Sequence, residues 1–363
     1  MDNVNHVFVV MPCLNEERTI ADVCRSLGFD RINKNILECT SLIVVDNGST
    51  DGSKRILLEM QEGYGHIRFY IVDEPERGYV PARHRGVLLA REIASVHGWD
   101  LKTVWILQTD ADTIYKEGYV STMLEHIQVC APHIFLEACV GYKPSSMKNL
   151  SQYFALCQFV DSAIAPHLPL LSTDEIIVDD KVCGYNLEMY FRWGGHKRAY
   201  LADGDELHAE STRLYMAAFA QGAVKSSIAT ALGYHSVRKI EQNPLRHFAT
   251  AGFPFPSSYP LEADLLPHLV QKFNSNDKLT EQLLPYVTQR VLNELALFVV
   301  LPLHVFRTAD RELSSASTEL VAFIEQHLIK RSLLELASSP ATLLTDAFNF
   351  TAQYRATVLS YLL

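Results

Sequence analysis

Residues 42–53 read LIVVDNGSTDGS. Leu42, Ile43, Val44 and Val45 make a short unbroken apolar run, the texture of a strand buried on both faces. Asp46 closes the run, Asn47 and Gly48 turn the chain, and Ser49 or Thr50 stands where it can cap a following helix. The same pattern recurs on either side, with apolar runs at 6–11, 67–72 and 104–107. Between the runs lie helical spacings. Ile20, Val23, Cys24 and Leu27 fall at i, i+3, i+4 and i+7, with Asn15 as the expected cap and Gly28 as the stop. Leu89, Ile93 and Val96 repeat such a face before Gly98. Strand–helix–strand alternation predicts an α/β fold, a mostly parallel sheet flanked by helices.

A sheet of that kind takes its ligand outside the carboxyl ends of its strands. Polar and acidic residues gather there: Asn15 and Glu16 after the first strand, Asp46 and Asn47 after the second, Glu74 after the third, Asp110 and Asp112 after the fourth. Residues 116–180 are mixed in texture, and 181–235 carry another loop–helix–strand series. A proline-rich stretch at 243–267 reads as a crossing segment. Helical spacings follow over roughly 278–308, 315–337 and 340–362. The expected domains are 1–239 for the ligand-binding part and 240–363 for a helical C-terminal appendage.

Composition narrows the function. The 363 residues hold 32 Lys and Arg against 42 Asp and Glu, a net charge of -10 that removes the long-range attraction nucleic-acid binders use. The seven cysteines are scattered without a Cys-x-x-Cys pair, which points to a reducing compartment and a cytoplasmic localisation. The first residues lack the basic n-region of a secretory signal. The longest apolar stretch, 295–306, is broken by Pro302 and His304, so no membrane span is expected. Apolar stripes in the tail, such as Leu292, Leu295 and Val299, read as core or as homodimer contacts. Peripheral membrane contact is the minor reading, because the tail has no basic cluster.

The chemistry starts from Asp110-Ala111-Asp112. In extended backbone, residues i and i+2 face one way, so both carboxylates would meet one cation. Two hard oxygen donors suit Mn²⁺ or Mg²⁺ shared with substrate phosphates. Arg83 and Arg85, in Ala82-Arg83-His84-Arg85-Gly86, supply guanidinium groups that match phosphate oxygens.

Four segments in order, VVMPCLNEERTI, LIVVDNGSTDGS, VPARHRGVLLA and LQTDADT, resemble glycosyltransferase family 2, the GT-A group that uses nucleotide-sugar donors. The resemblance implies a GT-A fold and a metal-dependent transfer from a nucleoside-diphosphate sugar, UDP-linked by default, to an acceptor hydroxyl. It implies that Glu16 and Asp46 contact the nucleoside, with Pro12, Asn15, Asn47 and Ser49 around them. Arg83 would lie near the diphosphate, and Asp110, Ala111 and Asp112 would handle metal and donor ribose. Gly184-Tyr185-Asn186 resembles the glycine loop beneath the donor sugar. His235, 13 residues past Gly222, resembles the histidine that completes the metal shell.

The family's Glu-Asp pair, whose Asp serves as base, falls at Glu210-Ser211 when counted back from Gly222. Serine takes no proton from an acceptor hydroxyl at this pH. The expected base is therefore a neighbouring carboxylate, Glu210 ahead of Asp205; a register difference and a retaining reaction are the alternatives. A non-catalytic nucleotide-sugar-binding protein that has lost its base is a further reading. A sugar-1-phosphate nucleotidyltransferase is disfavoured because Pro12-Cys13-Leu14-Asn15-Glu16 holds no glycine to cradle a triphosphate. A dehydrogenase is disfavoured because no Gly-x-Gly-x-x-Gly follows an expected strand.

Overall fold

The computed structural model describes residues 5–29, 38–63, 68–165, 176–201, 204, 206–250, 277–311 and 318–361. The chain divides into two compact units, the first built from 1–143, 178–198 and 209–236, the second from 144–177, 199–208 and 237–363.

The first unit is an eight-stranded sheet: β1 (His6–Cys13), β2 (Thr40–Asp46), β3 (Phe69–Asp73), β4 (Val104–Gln108), β5 (Ile114–Tyr115), β6 (Ile134–Gly141), β7 (Cys183–Asn186) and β8 (Val224–Tyr234). The order is β3-β2-β1-β4-β7-β6-β8-β5. β3, β2, β1 and β4 run parallel, as do β6 and β8, while β7 sits antiparallel between β4 and β6. β1, β2 and β4 are buried along almost their whole length, as their unbroken apolar runs require. β3 is the sheet's edge and is buried only at Phe69. The register sets Cys13 beside Asp46 and Asp46 beside Asp73, so three strands end on one line.

The flanking helices are α1 (Ile20–Ser26), α2 (Ser53–Gly63), α3 (Tyr79–His97), α4 (Tyr119–Val129), α5 (Leu187–Arg192) and α6 (Glu210–Phe219). Two expectations about them change. α1 is preceded by Thr19 at its cap, without a side-chain bond, whereas Asn15 sits in left-handed backbone at φ 58° and bonds elsewhere. α3 does not bury Leu89, Ile93 and Val96, and Val96 is 84% exposed. It buries Ala82, Gly86, Ala90 and Ala94, a stripe of small residues at i, i+4 spacing, with Arg83 and Val87 beside it. A Cβ on Gly86 would come within 2.4 Å of Val10 Cγ1 and 3.1 Å of Val45 Cγ2. Closeness to β1 and β2 has selected small residues over large apolar ones on this face.

The second unit is helical. Its helices include Pro144–Asn149, Ser151–Ile164, Pro244–Thr250, Asp277–Leu295, Leu301–Thr308, Glu319–His327 and Pro340–Gln353. A π-helical turn at Ala296–Val300 joins two of these into one rod. Its stretch Leu283–Thr308 is long and apolar enough to cross a bilayer, yet 89% of its most apolar window is buried, and it forms the core helix of the unit. Some of its polar groups are paired: Arg290 with Asp161 at 2.8 Å and Glu294 at 2.7 Å, and Asn293 Nδ2 with the Ala249 carbonyl at 3.0 Å. The buried Thr288 hydroxyl and both His304 ring nitrogens find no partner among the described residues.

Candidate active site

The loops that follow β1 and β2 are fastened to each other. Asn15 N–H donates to Ser49 Oγ at 3.0 Å, and Asn15 Oδ1 accepts from Thr50 N–H at 2.8 Å. Glu16 N–H donates to Ser53 Oγ at 2.7 Å, and Glu17 Oε2 accepts from Gly52 N–H at 2.8 Å. An asparagine tolerates the left-handed conformation that this exchange demands. Ser49 and Thr50 are thereby engaged with Asn15, and the head of α2 is held by Asp51, whose Oδ1 accepts from Ser53 N–H at 2.9 Å.

Two carboxylates are set down behind this fastening, both largely buried. Glu16 Oε2 accepts from Thr19 Oγ1 at 3.0 Å, and Asp46 Oδ1 accepts from Ser49 N–H at 3.1 Å. Burial first, then the neighbouring Asp46 and Glu16 carboxylates, push the Cys13 thiol up to about 12. Cys13 is therefore neutral at pH 7 and no nucleophile. Pro12 lies within β1 beside Val45. Asn47 shapes the rim: its Nδ2 donates to the Glu74 and Glu76 carbonyls at 2.9 and 2.7 Å, and its Oδ1 accepts from Gly78 N–H at 3.1 Å.

The second cluster centres on Arg83, whose side chain is only 3% exposed. Its Nη2 donates to Asp110 Oδ1 at 2.8 Å and its Nε to Glu210 Oε1 at 2.7 Å. Burial pulls the guanidinium down, but Asp110, Glu210 and Asp180 outweigh it and hold the group well above the ordinary arginine value. Asp110, a quarter exposed, also fixes its backbone: its N–H donates to Tyr115 Oη at 3.0 Å, and Tyr115 Oη donates to the Lys181 carbonyl at 2.9 Å. Asp110-Ala111-Asp112 is a turn and not extended backbone, with Thr113 N–H reaching the Asp110 carbonyl at 3.4 Å. The extended-strand reason for pairing the two carboxylates therefore fails. Asp112 is half-buried, and the Ala111 carbonyl accepts from Thr19 Oγ1 at 2.9 Å.

A third group went unremarked in the sequence. Asp179-Asp180-Lys181 precedes β7. Asp180 Oδ1 accepts from Ser211 N–H at 2.9 Å, and the Asp180 carbonyl accepts from Gln108 Nε2 at 2.8 Å. Gln108 also donates to Ser211 Oγ at 2.6 Å and accepts from Tyr185 Oη at 3.1 Å. Lys181 Nζ donates to Asp179 Oδ1 at 3.1 Å, and His235 Nε2 lies 3.9 Å from Asp179 Oδ2. Burial and then Lys181 lower His235, so its ring is neutral at pH 7 and able to act as a ligand. Among the described residues, no three His, Cys, Asp or Glu side chains are grouped closely enough to hold a metal ion by themselves. Asp110, Asp112 and His235 are thus not closed into one shell.

Asn186 falls away from this edge, whereas Gly184 pairs with Leu107, one residue from Gln108. Both lie inside β7, where a Cβ on Gly184 would meet Leu107 Cδ2 at 2.8 Å. Asn186 pairs with Trp105, three residues back from Gln108 and so about 10 Å down the sheet. It accepts from Glu188 and Met189 N–H groups at the head of α5, and donates to the Lys102 and Val104 carbonyls at 2.8 and 3.1 Å. The resemblance had made it a donor contact; the fold uses it as a helix cap at the amino end of β4. Asp205 lies outside the described residues.

Residues 8–153 match the family model of Glycosyl transferase family 2. No curated protein matches the chain. Solved structures that resemble it include a mannosyltransferase from Pyrobaculum calidifontis in complex with GDP-Man and Mn²⁺, at 16% identity and TM-score 0.48, covering 99% of this chain and 85% of that one. Another is residues 1–349 of TarS from S. aureus, at 13% identity and TM-score 0.46, covering 97% and 92%. A third is glucosyl-3-phosphoglycerate synthase from Mycobacterium tuberculosis, at 15% identity and TM-score 0.40, covering 69% and 81%. The family match covers residues 8–153, and these distant likenesses carry no argument beyond it.

Proposed function

We propose that this chain is a glycosyltransferase that moves a sugar from a nucleoside-diphosphate donor, UDP-linked by default, to an acceptor hydroxyl with inversion at the anomeric carbon. The observation that carries the reading is the buried Arg83, pinned between Asp110 at the end of β4 and Glu210 at the head of α6, within the sheet whose other strand ends carry Glu16 and Asp46. Glu16 and Asp46 take the nucleoside end. Arg83 brings a fixed positive charge to the diphosphate end, already oriented by two carboxylates, so no reorganisation is needed as the leaving group gains charge.

A divalent cation fits the donor set on one condition. Mg²⁺ and Mn²⁺ sites are commonly built from one or two carboxylates with substrate phosphates completing the shell. Asp110 and Asp112, hard oxygen donors open in part to solvent, meet that description without a third protein ligand. When bound, such an ion would neutralise the departing diphosphate.

The test is a thermal-shift panel of UDP, GDP, dTDP and CDP, each with and without Mn²⁺. A ligand bound only by the native state raises the melting temperature by mass action. One diphosphate should stabilise the protein in a metal-dependent way, and Asp112→Ala should abolish the metal dependence. No shift with any nucleotide at millimolar concentration would overturn the reading. The Ser211 replacement favours one second reading, donor binding without transfer, which predicts the same shift and no turnover.

A further inference from the structure

We propose that Asp180 is the base that takes the proton of the acceptor hydroxyl; this rests on the glycosyl-transfer reading above. Ser211 brings no carboxylate to the head of α6, and Glu210 is committed elsewhere, buried with its Oε1 on the Arg83 guanidinium at 2.7 Å. Another carboxylate arrives at the same place from a different segment. Asp180 Oδ1 accepts the Ser211 N–H at 2.9 Å, which holds its carboxyl beside the position that Ser211 leaves without an acid.

Asp180 is fixed from two sides, by the Ser211 amide at the head of α6 and by Gln108 Nε2 at the end of β4. Gln108 is itself set by Tyr185 Oη at 3.1 Å. Asp110, Arg83, Glu210, Ser211 and Asp180 thus follow one another by hydrogen bond or peptide bond, from the diphosphate end of the site to the proposed base. Asp180 as a residue keeps partial exposure where Glu210 and Ser211 are sealed.

In the step, the acceptor oxygen bonds to C1 of the sugar. The bond from C1 to the diphosphate oxygen breaks, its electron pair leaves with the nucleoside diphosphate, and the hydroxyl proton passes to Asp180 Oδ2. The setting suits that role. Burial first, then the Glu210 carboxylate, push Asp180 up to about 7 against the pull of Arg83. A base is most effective when it titrates near the working pH. The groups that face it are Arg83 from α3, Glu210 from α6, Lys181 beside it, and Cys183 and Tyr185 from β7.

The test uses the full chain with UDP-glucose, UDP-N-acetylglucosamine and GDP-mannose in the presence of Mn²⁺. Release of free sugar is followed with water as the acceptor, alongside the melting shift with UDP and GDP. Asp180→Asn should keep the nucleotide shift, with apparent Kd within about threefold, while turnover falls about 100-fold or more. The acid limb of the wild-type pH–rate profile should vanish with it. Asp180→Glu, which keeps a carboxylate, should retain part of the turnover with a displaced acid limb, and it carries the test if the asparagine variant does not fold. Turnover of Asp180→Asn within threefold of wild type overturns the proposal, as does a loss of nucleotide binding that matches the loss of turnover. A wild-type protein that binds a diphosphate but releases no sugar overturns the base and leaves donor binding standing. One that binds no diphosphate overturns the functional reading itself.

Discussion

The two halves of the sheet build their share of the site in different ways. On the parallel half, β3-β2-β1-β4, each strand delivers its polar residue directly past its own end, and the loops after β1 and β2 fasten to each other across 34 to 37 residues. Beyond β4, the contributions come from remote segments: Arg83 meets Glu210 across 127 residues and Gln108 meets Ser211 across 103. A repeated local pattern makes the first half. Long-range pairing of buried charge makes the second, where removing one partner strands the other.

The comparison breaks most visibly at Arg83. Glu210→Ala removes the carboxylate that the buried guanidinium meets through Nε and should cost about 3–5 kcal/mol in urea unfolding. A cost below about 1 kcal/mol would mean that the remote half tolerates an unpaired charge. Gly86→Ala probes the parallel half. Its new methyl would press on Val10, for a loss of about 1–3 kcal/mol by the same measurement. Asn186→Ala separates the two ends of the sheet: it should destabilise by about 1–2 kcal/mol as a lost cap while nucleotide-induced melting shifts persist, and loss of those shifts would return it to the donor edge.

pH gives a smaller effect. The Asp180 carboxyl, raised to about 7 from an unfolded value of 3.8, makes its largest relative contribution to stability below pH 4, and that contribution is lost as pH rises through 7. Asp180→Asn should therefore gain more in melting temperature over wild type at pH 8 than at pH 5, where only part of the contribution has been lost. Thermal scans at both values check this, and an equal change at both would show that burial does not strain the ionised form. His235→Ala should produce the smallest change, a weaker dependence on Mn²⁺, because the two carboxylates carry the cation; unchanged metal affinity would reduce His235 to a partner of Asp179.

What was legible in the sequence follows the same division. Buried parallel strands announce themselves by unbroken apolar runs, so β1, β2 and β4 and the residues at their ends are readable, and Glu16, Asp46 and Asp110 come with them, while Arg83 in α3 is singled out by its guanidinium. Periodicity misled at α3, where the buried face is a stripe of alanine and glycine that carries little hydrophobic signal. Asn186 follows a glycine that resembles a loop glycine, but Gly184 is small because β7 packs against Leu107. Asp180 had only an acidic pair before a short strand as its signal. Its place beside Ser211 depends on β7 inserting antiparallel between β4 and β6, which no local pattern states.

The contact at Gly86 has a mechanical consequence. Val10 and Val45 lie against bare backbone, so α3 has no side-chain cushion on which to roll or slide at this point. Arg83 sits less than one turn ahead of that fulcrum. Its guanidinium inherits the stiffness of the sheet, and a donor arriving at the strand ends meets a charge that is already in place, with the compliance of the unit left to segments far from the fulcrum.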